Sequence, residues 1–230
     1  MPADEQACSV GEWVTFTECS EDRMRDLLRQ PPTQTPTPSD GLGCYCALGV
    51  GQDGDVATYV AFLRGVNLGP TNKIPMPELR AMAEDLGYTD VATYINSGNL
   101  VLKSPKKAAA VEREISTAIK DTFGRTIDVT VRTPVQLKKI LNGNPYPDGN
   151  PSQVAVAFLT KAPAKDARDK VAAVAKDYEP FTFAGQEVYV NYSQGLGRSK
   201  LAEKFSDIIG VSSTVRNIRT VEKVLALCND

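Results

Sequence analysis

Charged and amide side chains are concentrated in residues 64–73, a glycine-containing stretch that follows an apolar run. Arg64, Asn67, Asn72 and Lys73 lie here, and loops between elements commonly carry function. Guanidinium and ammonium groups supply charge for an anion, and backbone N–H groups near glycines supply directed donors. The stretch therefore predicts a pocket for an anion. The alternative is turn chemistry, in which Asn and Gly satisfy the loop backbone.

A second polar turn, residues 96–99, joins two apolar segments that read as a hairpin. Its Asn and Gly residues tolerate positive φ, which favours a tight reversal. Ser97 and Asn99 would add uncharged hydrogen-bonding groups to the predicted pocket. For Asn96 and Asn99 the turn role is the favoured interpretation.

A glycine-rich loop, residues 195–200, enters a predicted helix with Arg198, Ser199 and Lys200 at its start. The helix dipole disfavours cations there by roughly 0.3–1 kcal/mol, so a bound phosphate or carboxylate would offset the cost. The alternatives are a cap by Ser199 with solvated basic side chains, or a carboxylate such as Glu203 nearby. The loop is not a phosphate-binding Walker loop, because Lys-Ser or Lys-Thr does not follow its second glycine.

Arg216 precedes the last predicted helix, where Asn217 is an ordinary N-cap. Arg216 is thus one more cation at a helix start and joins the predicted ligand-binding set. We expect these groups to converge on one cleft and to bind a small anionic ligand that is nucleotide-like or phosphorylated.

The chain contains no histidine, which excludes Ser-His-Asp and Cys-His catalysis and histidine-ligated metals. No paired carboxylates lie near the glycine loops. Lys73 or Lys200 could act in an enzyme on a phosphorylated substrate if burial lowered its pKa, and this is the alternative function. Neither cofactor nor metal is predicted, since Cys44-x-Cys46 lacks the usual zinc spacing and other cysteines are scattered.

Residues 1–55 differ from the rest in composition. They carry ten acids and three arginines, a balance of 3 − 10 = −7, which leaves 23 − 18 = +5 for residues 56–230. They also contain a Pro/Thr run that is too polar to pack a core. We expect a mostly disordered acidic extension, with one short helix over residues 20–28, on a cytoplasmic protein.

The order strand, helix, strand, strand, helix, strand occurs twice after residue 55. Predicted strands cover residues 59–63, 91–95, 100–102, 127–131, 154–159, 181–192 (a hairpin) and 213–215, with amphipathic segments between and after them. The tetrapeptide Val-Ala-Phe-Leu recurs at 60–63 and 156–159. The pattern predicts an α+β fold of two ferredoxin-like units, 56–143 and 153–230, with an extra C-terminal helix.

Each predicted sheet has one face that its own helices do not cover. That face must meet solvent, the other unit or a second chain, so a homodimeric interaction module is a further alternative.

No membrane span is expected, because no apolar run approaches about 18 residues. We do not expect nucleic acid as a partner, since the predicted strand 100–102 lacks the aromatic residues of an RNA-recognition motif.

The motifs at 59–69, 72–76, 93–101, 198–201 and 214–217 resemble those of the bacterial domain-of-unknown-function 1697 family. The resemblance covers essentially residues 57–228 and implies paired ferredoxin-like α+β units with no established activity. Three departures stand out: Pro70 replaces a usual glycine, Asn96 a usual glutamine, and Ile218-Arg219 a usual Trp-Asn. Pro70 removes one backbone donor from the first loop.

Overall fold

A computed structural model describes residues 55–69 and 72–228 of the chain. The predictions for residues 1–54, including the disordered extension, the helix over 20–28 and the interpretation of Cys44 and Cys46, lie outside the described residues. Residues 55–228 fall within one compact unit.

In the described part of the chain, eight strands form two four-stranded antiparallel sheets, and the prediction of an α+β fold is confirmed. The first sheet has the strand order β2-β3-β1-β4. Its elements are β1 (Ala57–Leu63), α1 (Met76–Asp85), β2 (Thr89–Tyr94), β3 (Asn99–Ser104), α2 (Ala108–Phe123) and β4 (Val129–Arg132).

The second sheet repeats this order as β6-β7-β5-β8. Helix α3 (Pro134–Asn142) connects the two sheets, and the remaining elements are β5 (Val154–Leu159), α4 (Ala167–Ala172), β6 (Phe181–Ala184), β7 (Glu187–Asn191), a short 3-10 turn (Leu196–Arg198), α5 (Lys200–Ile209), β8 (Ser213–Asn217) and α6 (Ile218–Leu227).

The helix starts follow local sequence rules. Thr133 and Gln136 form a capping box before α3, which begins at a proline. The Ser199 Oγ accepts from the backbone N–H of Ala202 at 3.0 Å, and Asn217 caps α6 in the same way. Helix α4 spans only six residues, because the chain turns after Ala172. None of the helices in the described part of the chain is long and apolar enough to cross a membrane.

The central strands β1 and β5 are buried on both faces because their side chains alternate between two cores. In β1, Ala61 and Leu63 face a core that α1 and α2 close, whereas Val60 and Phe62 face the second sheet. The corresponding residues of β5 divide in the same way. Helices α3 and α6 complete the shared core. The sheet faces left uncovered by their own helices therefore meet each other within one chain.

Candidate functional site

The guanidinium of Arg216, at the end of β8, reaches across from the second sheet to the first. Its Nε donates to Asn99 Oδ1 at 2.5 Å. Nη2 donates to the carbonyl oxygens of Ser97 at 2.6 Å and Leu63 at 2.8 Å, with Gly98 O at 3.4 Å. Nη1 donates to its neighbour Val215 O at 2.8 Å. One arginine thus holds the β2–β3 hairpin and the end of β1 against β8.

Every one of these acceptors is neutral. Burial lowers the pKa of Arg216 to about 10, because the protein interior penalises the charged form, and the group stays charged at neutral pH. Buried charges in proteins are usually paired with an opposite charge. Arg216 has no carboxylate partner in the described part of the chain. Its positive charge is therefore uncompensated.

Arg132, at the end of β4, occupies the equivalent place in the first sheet. Its Nη2 donates to Leu159 O at 3.1 Å and its Nη1 to Val131 O at 2.9 Å, which repeats the Arg216 pattern. Its Nε, however, donates to a carboxylate, Glu187 Oε1, at 3.0 Å. The two arginines differ mainly in this partner: glutamate neutralises Arg132, whereas an asparagine faces Arg216.

The strand register shows that the residues around the two arginines occupy matching positions in the two sheets. Asn99 lies opposite Phe62 in the first sheet, and Glu187 lies opposite Phe158 in the second. The two phenylalanine rings stack between the sheets with centroids 4.5 Å apart. Each arginine also lies over one ring: Arg132 is 5.9 Å from the centroid of Phe158, and Arg216 is 5.7 Å from that of Phe62.

The β2–β3 hairpin has a strained backbone where it meets Arg216. Ile95 has φ +47°, a left-handed conformation that is unusual for a β-branched side chain. Gly98, with φ +72°, approaches β1 so closely that an added Cβ would lie 2.7 Å from the Cβ of Leu63. Asn99 is fully buried and donates to Tyr94 O at 3.0 Å, which fixes the amide with its oxygen toward Arg216.

A cavity of about 390 Å³ opens beside Arg216, and we call it the Arg216 cleft. Its walls come from the β1–α1 loop, the β2–β3 hairpin, the start of the 3-10 turn, α5, β8 and the start of α6. The polar lining includes Arg64, Ser97, Glu203, Ser206, Ser213 and Arg216. Such a volume suits a small organic ligand.

Arg64 supplies a second guanidinium to this cleft. Its Nη1 lies 3.3 Å from Asp128 Oδ2 and also donates to Ser212 Oγ at 3.3 Å. Ser212 Oγ in turn donates to the same Asp128 oxygen at 2.5 Å. Because Arg64 and Asp128 are both substantially exposed, this pair is a weak one and leaves donors on Arg64 for other groups.

Thr214 also lines the cleft, and its hydroxyl is buried without a hydrogen-bond partner among the described residues. A buried hydroxyl without a partner is unfavourable by about 1–3 kcal/mol. Thr130, which precedes Arg132 as Thr214 precedes Arg216, is likewise unpartnered. Only Thr214 of the two lines a cavity described above.

The structure distributes the predicted site residues over three cavities. Arg64, Ser97 and Arg216 line the Arg216 cleft. Asn67 and Lys73 line a cavity of about 430 Å³ on another side of the β1–α1 loop. Arg198, Ser199 and Lys200 line a third, of about 170 Å³. The predicted ligand-binding residues therefore do not all line one cavity.

Several predicted residues have local structural roles. The side-chain amide of Asn67 exchanges two hydrogen bonds of 2.9 Å with the backbone of Ile74, and Asn72 Nδ2 donates to Gly65 O at 3.4 Å. Ser199 is a helix cap. The alternative of a lysine-dependent enzyme requires burial of Lys73 or Lys200, but both residues are exposed.

Sequence reasoning missed Arg132, Glu187 and Thr214. A signal was available: Thr-Val-Arg followed by a helix-capping residue occurs at 130–133 and again at 214–217. Like the repeated Val-Ala-Phe-Leu, it marks the same structural place in both halves. Arg132 lies one residue beyond the strand predicted over residues 127–131.

Comparison with known proteins agrees with the sequence resemblance. Residues 56–189 match the family model described as protein of unknown function (DUF1697). The match spans more than half of the chain, so the chain belongs to this family, as predicted.

The fold is also similar to that of the conserved bacterial protein SP0830 from Streptococcus pneumoniae, with a TM-score of 0.60 and 21% sequence identity. The similarity covers 75% of this chain and 99% of that one. At this identity it shows the fold alone. No curated protein matches the chain in sequence.

Proposed function

We propose that the chain is a cytoplasmic protein that binds a small anionic ligand, phosphorylated or nucleotide-like, in the Arg216 cleft between duplicated ferredoxin-like halves. The duplication is supported by the common strand order of the two sheets and by the equivalence of Arg132 and Arg216. The repeated Val-Ala-Phe-Leu and Thr-Val-Arg segments fall at equivalent places and support it further.

The observation that carries the proposal is the neutral surroundings of the Arg216 guanidinium. An uncompensated charge in a partly buried site is unfavourable, and an anion in the adjacent cleft would relieve it. The charge of the equivalent Arg132 is already compensated by a carboxylate of the same chain.

The other groups of the cleft suit an anion. A guanidinium has five N–H donors, and Nη1 of Arg216 has a single acceptor, Val215 O, among the described residues. Arg64 adds a second cation to the cleft. Glu203, also in the lining, is exposed and leaves the lining side chains with a net charge of +1 from two arginines and one glutamate.

The proposal is tested by titrating the full chain with inorganic phosphate and following backbone amide signals by NMR. Signals of cleft residues such as Gly65, Ser97 and Arg216 should shift. Arg64→Gln should weaken binding by about tenfold or more, the scale of one charge-assisted hydrogen bond.

Lys200→Gln is the matched control, since it removes a cation from a different cavity and should leave the affinity unchanged. If phosphate shifts no cleft signal, or if Lys200→Gln weakens binding as much as Arg64→Gln, the assignment to this cleft is wrong.

A further inference from the structure

Large apolar side chains are exposed around the Arg216 cleft. Six large hydrophobic residues of the described chain are exposed, and three of them line this one cavity: Leu68 at 84%, Ile95 at 52% and Leu196 at 39%. Single exposed hydrophobics are normal on a protein surface, but several around one concave site indicate a binding surface.

The three residues come from segments far apart in the chain. Leu68 lies in the β1–α1 loop, Ile95 in the β2–β3 hairpin and Leu196 in the turn before α5. None of them belongs to the three buried cores. Their arrangement at one cavity is therefore unrelated to core packing.

The backbone conformation of Ile95 also indicates a functional role for its side chain. Its left-handed backbone would suit Asn or Gly, whereas a β-branched residue is strained in this conformation. Strain of this kind persists at functional sites, where the side chain has a role that compensates for its conformation. An apolar contact with a ligand supplies such a role.

We propose that the ligand of the Arg216 cleft is an amphipathic anion, with a phosphate or carboxylate head group and a compact apolar body. The inference rests on the proposed function. The head group binds at Arg216 and Arg64, and the apolar body lies against Leu68, Ile95 and Leu196. The cavity of about 390 Å³ matches a small molecule, while a protein partner would need a surface of about 800 Å².

The probes are phenyl phosphate and inorganic phosphate, which present a phosphate with and without an apolar body, together with phenylacetate and acetate. Burial of about 60 Å² of ligand apolar surface predicts that each aromatic probe binds about tenfold more tightly than its small counterpart. Titration calorimetry on the full chain measures all four affinities, and the two pairs show which head group is preferred.

Leu68→Ser and Ile95→Asn should remove the tenfold advantage of the aromatic probes and leave the affinity for inorganic phosphate unchanged. Both variants are expected to fold, because Leu68 is almost fully exposed and Asn tolerates the backbone of residue 95. Val135→Ser is the control, since Val135 is equally apolar and exposed but lies outside the cleft.

The possible results separate the two proposals. Equal affinity for phenyl phosphate and inorganic phosphate overturns the amphipathic ligand but leaves an anion site. Tighter binding of the aromatic probes that survives both substitutions also overturns the amphipathic ligand. So does concentration-dependent dimerisation in light scattering that Leu68→Ser abolishes, because a second copy of the chain would then cover the apolar surface. If none of the four probes binds, the proposed function itself fails.

Discussion

Replacement of Glu187 by glutamine tests the difference between the two arginine sites. The carboxylate of Glu187 is 3.0 Å from Arg132 Nε, and both side chains are mostly buried. Glutamine keeps an acceptor oxygen but removes the charge, so Arg132 would have neutral surroundings like those of Arg216. A hydrogen bond to a charged group contributes about 1.5–3 kcal/mol and a neutral one about 0.5–1.5 kcal/mol, so a loss of about 1–2 kcal/mol is expected.

Urea denaturation followed by far-UV circular dichroism measures this loss as a change in the free energy of unfolding. The control is Asp166→Asn, which breaks an exposed pair with Lys170 one helical turn away and should leave the free energy of unfolding almost unchanged. If Glu187→Gln lowers the free energy of unfolding no more than Asp166→Asn does, the carboxylate does not neutralise Arg132. The two arginine sites would then not differ in charge compensation.

Three further predictions concern single residues. Gly98→Ala should destabilise the fold by about 1–3 kcal/mol more than Gly185→Ala in urea denaturation. Both glycines have positive φ, but only at Gly98 would the new Cβ lie 2.7 Å from the Cβ of Leu63, so equal losses of stability would contradict this reasoning. Tyr192→Phe should leave the free energy of unfolding unchanged or raise it by up to about 1 kcal/mol, since the buried hydroxyl has no partner among the described residues, and a clear loss in the same assay would show an unrecognised partner. Burial raises the pKa of Cys228 to about 11, so its thiol stays protonated at pH 8, and peptide mass spectrometry should find it alkylated by iodoacetamide roughly a hundredfold more slowly than a free cysteine; equal rates would refute the burial argument.

The order of elements and the α+β fold could be predicted from the sequence, because apolar alternation and helix caps are local signals. The strand Val154–Leu159 and the caps Thr133 and Asn217 are examples. The grouping of cations could not be predicted. Arg64 and Arg216 meet at one cavity because two sheets pack face to face, which local patterns do not encode.

The same limit applies to charge compensation. Asn99 appears in the sequence as a turn residue, and its fully buried amide faces Arg216 only once β3 and β8 are placed. Lys200 is the first residue of α5 and Arg198 lies two residues before it, yet both line a different cavity from Ser206, which is on the same helix. A rotation of one helix by half a turn decides which cavity a side chain enters, and sequence periodicity does not fix that rotation.

The most direct measurement of the central claim is the affinity of the Asn99→Asp variant for phenyl phosphate by titration calorimetry. The substitution is nearly isosteric and places a carboxylate beside Arg216 Nε, as Glu187 lies beside Arg132. With the charge of Arg216 neutralised from within, binding should weaken by about tenfold or more relative to the unaltered chain. Unchanged affinity in a folded Asn99→Asp protein would show that the uncompensated charge of Arg216 is not what attracts the ligand.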